Sequence, residues 1–252
     1  MQYFLWLRDL AKGDLGVSLY SQDSVLSEIA RRWTVTLEVG GLALLLSTLT
    51  AVPVGVVSAL KQDTCIDHLL RGFSVLLIAV PTFWAAILAV LLPSQFFNWT
   101  PVKVWTPFTE DPLLNLRLVL IPAAVLGLFT GGLVMRLTRA QMLEVMRNDY
   151  IRTARAKGLA ERVIIVRHAL KNALIPVVTV IGGQIGFLIG GSVIVEQVFA
   201  LPGVGRYLFS SIGARDYPVV QGVTLLLTTS IVLINLVVDL TYSYLDPRIR
   251  YQ

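Results

Sequence analysis

Charge is what this sequence has least of. Only 15% of its 252 residues are Asp, Glu, Lys or Arg, where a soluble domain carries about 25%. That is too few to cover a water-facing surface. No charged residue lies between Glu38 and Lys61, from Gly72 to Val102, from Leu118 to Met135, from Asn172 to Val195 or from Tyr217 to Val238. Each run approaches or exceeds the roughly 18–20 residues a helix needs to cross about 30 Å of hydrocarbon. Five such runs in one chain argue against a soluble helical core and for an all-α, multi-pass membrane bundle.

Other scarcities exclude chemistry. A single cysteine, Cys65, set in a short polar loop, forbids an intrachain disulfide. One Cys and two His are too few for a dedicated metal cluster. No G-x-x-x-x-G-K-[ST] phosphate loop occurs. No Ser-His-Asp, Cys-His or paired-carboxylate arrangement stands out. The reading is a non-catalytic chain without cofactor or metal of its own. Residues 1–33 carry Arg8, Asp9, Lys12, Asp14, Asp23 and Glu28 and lack the unbroken apolar stretch of a cleavable signal. The net charge of +5 implies no nucleic-acid partner until its location is known.

Two short amphipathic helices are expected in 1–33, broken at Gly13-Asp14-Leu15-Gly16, with Ser24 capping the second. Spans are expected at about 34–60, 73–97, 116–137, 174–198 and 219–244, with a kink at Pro53 and Gly55 and a loop from Lys61 to Gly72. Trp99 and Trp105 suit the interface after the second span. Orientation follows from Lys and Arg. Nine lie between the third and fourth spans: Arg136, Arg139, Arg147, Arg152, Arg155, Lys157, Arg162, Arg167 and Lys171. With Lys61, Arg71, Arg248 and Arg250 they make thirteen on one side, against eight on the other. The positive-inside rule then places that loop and the tail 246–252 in the cytoplasm, and five spans leave the N-terminus outside.

Within the basic loop, Asn148 can cap a helix whose Asp149 complements the helix dipole. Gly158 suits a left-handed C′ position. A second helix from about Leu159 to Leu174 carries Leu159, Val163, Val166 and Leu170 at helical spacing. Residues 148–173 thus read as helix, glycine turn and helix, or as a solvated loop of good helix propensity.

In the fourth span Gly182, Gly186 and Gly190 recur every four residues, a spacing that lets helix backbones approach closely. Packing within the chain, pairing with a second chain and lining a pathway all remain open for them. Gln184, the uncharged polar residue nearest mid-membrane there, is a candidate lumen contact or interhelical glue. Glu38, Glu196 and Asp239 flank the apolar cores as snorkelling or interhelically paired carboxylates, Asn235 suits a bond to a neighbouring helix, and His168 reads as a polar helix-face residue.

Several strings resemble the permeases of ABC importers, and more narrowly their dipeptide, oligopeptide and nickel branch. They are Ala154-Arg155-Ala156-Lys157-Gly158-Leu159, Arg167-His168-Ala169-Leu170-Lys171-Asn172-Ala173-Leu174-Ile175-Pro176, Glu196-Gln197-Val198-Phe199, Pro202-Gly203-Val204-Gly205, Arg215-Asp216-Tyr217-Pro218 and Leu245-Asp246-Pro247-Arg248-Ile249-Arg250. Gly13-Asp14-Leu15-Gly16 and Thr36-Leu37-Glu38 belong with them. The general Glu-Ala-Ala form of the cytoplasmic signature fits loosely, since Arg152 and Thr153 stand for Glu and the first Ala.

The resemblance implies a type I importer permease of six spans, with this chain lacking the family's first helix, which would account for an outside N-terminus. It implies alternating access for peptides or a related small solute, chelated nickel among them, across the inner (cytoplasmic) membrane. It also implies partners: a second homologous permease, one or two P-loop ATPases holding ATP and Mg, an extracytoplasmic substrate-binding protein, and membrane lipids. Thr153, Ala154, Arg155, Ala156, Lys157, Gly158 and Leu159 would couple to the ATPase, with Ala154 and Ala156 allowing close approach and the basic residues pairing with its acidic groups. The external segment with Pro202, Gly203, Gly205 and Asp216 would face the binding protein. The competing class is an ion-gradient-driven secondary transporter, which calls for charge near the midplane; the five apolar runs hold none.

Overall fold

The computed structural model describes residues 2–98 and 104–245. The expected tail 246–252 with Arg248 and Arg250, the residues Trp99 and Lys103, and the side chain of Asp239 lie outside them. Among the described residues the named elements are all helices, beside one isolated β-bridge between Val17 and Ser24: α1 (Gln2–Ala11), α2 (Val25–Leu60), α3 (Cys65–Ala79), α4 (Thr82–Phe97), α5 (Pro112–Met146), α6 (Asp149–Ala156), α7 (Glu161–Val163), a π-helical stretch (Ile164–Leu170), α8 (Lys171–Val198), α9 (Val204–Ala214) and α10 (Tyr217–Leu245).

Three boundaries differ from expectation. The amphipathic helix expected after Ser24 and the first span are one helix, α2, and Ser24 stands at its start without a side-chain cap bond. Pro53, where a kink is expected within the span, does lie inside that helix. The loop expected from Lys61 to Gly72 closes at Thr64, whose side chain accepts the Asp67 N–H to start α3, so exposed Cys65 opens a helix. The second span is not one rod: α3 and α4 meet at a 99° bend. Val80 is extended at ψ 125° and Pro81 at ψ 133°, because the proline ring drives the preceding residue out of the helical region and offers no N–H. Four helices are therefore long and apolar enough to cross a membrane, five with the bent pair.

The centre is the pair α2 and α5, which run side by side in the same direction. A Cβ on Gly131 would stand 3.2 Å from Ser47 Oγ, and one on Gly55 would stand 2.6 Å from Thr138 Cβ. On Gly127 it would overlap the Ala43 carbonyl. Small residues at one offset along both helices let their backbones touch, which in lipid replaces the hydrophobic drive. At its start α5 has Pro112 in the first turn, and the Asp111 carboxylate accepts the Leu113 and Leu114 N–H at 3.1 and 3.0 Å. Against this pair pack α8 and α3, with α10 on the far face of α8.

Candidate coupling segment, pathway and outer cap

At one end of the bundle, α6 lies across the ends of α2 and α5. Ile151 and Ala154 turn inward into a cluster with Ala59, Met142, Val145, Ile164, Ala169 and Ala173. The inward register downstream is Ile164, Ala169, Ala173, and the expected stripe is displaced: Leu159, Val163 and Val166 are exposed. From Ile164 on the π-helical stretch sets this register, since its wider turn brings i and i+5 to one face; Leu159 lies in the turn before it and Val163 at its start. Neither the solvated loop nor a plain α-helix describes the segment.

The turn after α6 is a Schellman motif. Gly158 N–H donates to Arg155 O at 2.9 Å and Leu159 N–H to Ala154 O at 3.3 Å. Gly158 sits at φ +78° with open space around it, so the backbone rather than crowding demands glycine. Across the turn Arg155 grips the exposed Glu161 carboxylate at 2.7 and 3.2 Å, and this bond raises the Arg155 pKa further. Of the seven residues expected to meet a partner, Thr153, Arg155, Ala156, Lys157, Gly158 and Leu159 are exposed. Ala154 is 7% exposed and packs on its own bundle. Its small size serves α6 docking, and Arg155 already has an acidic partner.

Behind this segment stands a buried ion pair that the sequence did not signal. Asp67, fully buried, accepts two bonds from Arg139 at 2.7 Å each, the Ser58 hydroxyl at 2.6 Å and the Asp63 N–H at 3.0 Å. It joins α2, α3 and α5. Arg71, four residues on, is 4.0 Å away, while the closer partner Arg139 lies 72 positions on, where nothing local points to it.

Midway along the bundle, a cavity of about 710 Å³ opens at the α3–α4 bend, lined by Val80, Pro81, Thr130, Gly183, Gln184 and Phe187 among others. The Gln184 amide donates to Thr130 O at 3.0 Å, while its Oε1 has no partner. Gln184 is thus both glue to α5 and part of the cavity wall. Gly182 faces Val238 and Gly186 faces Ile231, where added Cβ atoms would come within 2.8 and 3.2 Å. These two pack α8 on α10 within the chain, with Asn235 near Gly186. Gly190 is exposed, and a Cβ added there would meet nothing within 4 Å, so the three glycines do not act as one stripe.

The opposite end is built from buried polar groups. Glu196 is 0% exposed. Its carboxylate accepts the Thr36 hydroxyl at 2.8 Å and the Arg206 N–H at 3.0 Å, and Thr36 Oγ1 accepts the Val204 N–H at 3.0 Å. Glu196 and Thr36 together satisfy two of the open N–H groups at the start of α9. Gly203 is buried against the Glu196 carboxylate, which a Cβ would overlap, and a Cβ on Gly205 would stand 2.5 Å from Val193 Cα. Glu196 is therefore no snorkelling group. Glu38, by contrast, is only part-buried.

Asp216 also turns inward. It is 3% exposed and accepts the Ser18 hydroxyl at 2.6 Å and the Leu19 N–H at 3.2 Å, while Tyr20 donates to Ala214 O at 2.5 Å. Gly203, Gly205 and Asp216 thus shape the outer cap from beneath instead of facing outward, and Pro202 is half-buried. Nearby, the Arg32 guanidinium lies 4.5 Å over the Tyr207 ring, and burial with the Glu28 charge raises the Tyr207 pKa.

The chain is similar to known proteins in sequence and in fold. A Brucella abortus (strain 2308) protein, provisionally named a peptide transport system permease, is 46% identical over 246 residues, 98% of this chain and 78% of its own. The dipeptide transport system permease protein DppB of Escherichia coli (strain K12) is 40% identical over 274 residues, 100% of this chain and 81% of its own. The fold matches that of the MetNI methionine ABC transporter in its inward-facing conformations, with a TM-score of 0.70 at 16% identity over 88% of this chain and 97% of that one. Residues 51–251 match the family model for the inner membrane component of binding-protein-dependent transport systems. That stretch holds α5, the segment 148–173 and α9, and with it the chain belongs to this family of inner-membrane permease subunits of ABC importers.

Proposed function

We propose that this chain forms one half of a peptide pathway, opened and closed by an ATP-hydrolysing partner that grips residues 152–159 from the cytoplasm. The observation that carries this reading is the two-faced build of α6. Ile151 and Ala154 are anchored in the bundle while Thr153, Ala156, Lys157 and Leu159 stand free. A force applied to the outer face passes through that cluster to the ends of α2, α5 and α8. The cavity at the α3–α4 bend is the section of pathway this subunit contributes, with a second permease closing it. Peptides are the proposed solute on the strength of the relatives' names, DppB above all. The cap around α9 meets the substrate-binding protein through its outer surface, with Gly203, Gly205 and Asp216 giving it shape. Energy comes from the partner's ATP and Mg.

The test separates docking from folding. Ala156→Asp with Lys157→Glu changes only exposed side chains, so the chain should reach the membrane in normal amount. Dipeptide uptake and co-purification of an ATPase should both be lost. Unchanged uptake and co-purification overturn the reading. Ala154→Asp is no substitute, because it buries a carboxylate in the chain's own core.

A further inference from the structure

Beside the Asp67–Arg139 pair lies a second cavity, of about 590 Å³, between α3 and α5. Its lining includes Arg71, Arg136 and Arg139 and no acidic residue. Arg139 is committed to Asp67. Arg71 stands 4.0 Å from that same carboxylate, half exposed. Arg136 is exposed and has no hydrogen-bond or ion-pair partner among the described residues. One buried acid, already bidentate with Arg139, leaves the cleft with an excess of positive charge.

Depth in the membrane says what would meet that charge. Arg71 and Arg136 are each the first charge beyond an uncharged run, Gly72–Val102 for one and Leu118–Met135 for the other. The second run spans about 27 Å as a helix, close to the thickness of the hydrocarbon core. Both guanidinium groups therefore stand at headgroup level, at the end of the bundle that carries α6. Above them the cleft turns apolar along the exposed Val75 and Leu133. It is basic at one end and apolar toward the membrane centre, as a lipid is anionic at one end and apolar at the other.

The geometry points to a binding site for one anionic phospholipid of the leaflet on the α6 side, its phosphate between Arg71 and Arg136 and an acyl chain along Val75 and Leu133. This inference rests on the membrane placement of α3 and α5; Leu133 also lines the cavity at the α3–α4 bend, which is why displacement by dialanine separates lipid from solute. Arginine suits the role through its planar fork of donors, which matches phosphate oxygens. Juxtamembrane basic residues attract anionic lipid by about fivefold each.

The test is native mass spectrometry of the full chain, purified with the subunits that accompany it and supplied with lipids of identical acyl chains. Phosphatidylglycerol should be retained in preference to phosphatidylcholine. Arg71→Gln and Arg136→Gln should each lower that retention about fivefold. Arg117→Gln, the same change near the other end of α5, should leave it unaltered. Arg136→Gln is the decisive variant, because Arg136 holds no structural bond that its loss would break. Equal retention of the two lipids overturns the site, as does an equal loss in Arg117→Gln. Displacement by glycerol phosphate would mean a free-phosphate site, and displacement by dialanine a solute site; either overturns the lipid assignment. Co-purification of the ATPase, recorded on the same samples, reports on the proposed function separately.

Discussion

The two ends of this bundle hold a short helix by opposite means. At the outer end α9 is fastened through buried polar groups: Glu196 and Thr36 meet its first N–H groups, and Asp216 below it ties down Ser18 and Leu19. At the inner end α6 is fastened mainly by apolar contact, through Ile151 and Ala154, with one exposed bond from the Asn172 amide to the Tyr150 hydroxyl at 2.9 Å, while its charges stay in solvent. Directional bonds fix one geometry and are costly to leave unmade. Apolar contact is non-directional and leaves the outer face of α6 free. The α9 end is therefore built to keep its shape, while the α6 segment keeps one face free, as the proposed docking requires.

The largest expected effect falls on the outer end. Glu196→Ala removes the acceptor for the Thr36 hydroxyl and the Arg206 N–H in a buried site, and should lower stability by about 4 kcal/mol. Thermal unfolding of the purified chain checks this, and Glu196→Gln, which keeps an acceptor oxygen, should lose clearly less. If alanine and glutamine behave alike, the bonds do not hold the cap. At the inner end, Ile151→Ala empties a fully buried site and should cost about 3 kcal/mol. That loss should appear as faster hydrogen exchange in residues 149–156, with the α9 amides unchanged. A uniform rise at both ends would dissolve the contrast between them.

Smaller effects sharpen the comparison. Gly158→Ala forces a side chain into a left-handed conformation and should cost about 1 kcal/mol, with little change in melting temperature but a clear drop in uptake. Arg155→Ala breaks only an exposed pair with Glu161 and should leave melting unchanged, since such pairs contribute little. A marked fall in melting temperature there would show that the inner turn, too, relies on a polar lock.

Local chemistry was legible wherever one stretch of chain decides it. Five uncharged runs announced the spans, because a helix in lipid satisfies its backbone internally and needs only length and apolarity. Asp149 and Gly158 marked both ends of α6, because a helix terminus is set by its first and last turns. Family strings named the kind of machine. What sequence could not supply was the partner of each buried group. Glu196 looked like an interface carboxylate until Thr36, 160 residues earlier, and Arg206 closed around it. The glycine spacing in α8 drew attention, yet the tighter contact lies between α2 and α5, where Gly127 meets Ala43 and Gly131 meets Ser47. The displaced stripe of the π-helical stretch and the bend at Pro81 belong with these. Composition and local pattern determined that this chain crosses a membrane as helices and offers a basic helix-turn-helix. Which carboxylates are buried, which glycines touch and which buried acid takes which arginine are properties of pairs far apart in the chain, decided only when the helices pack.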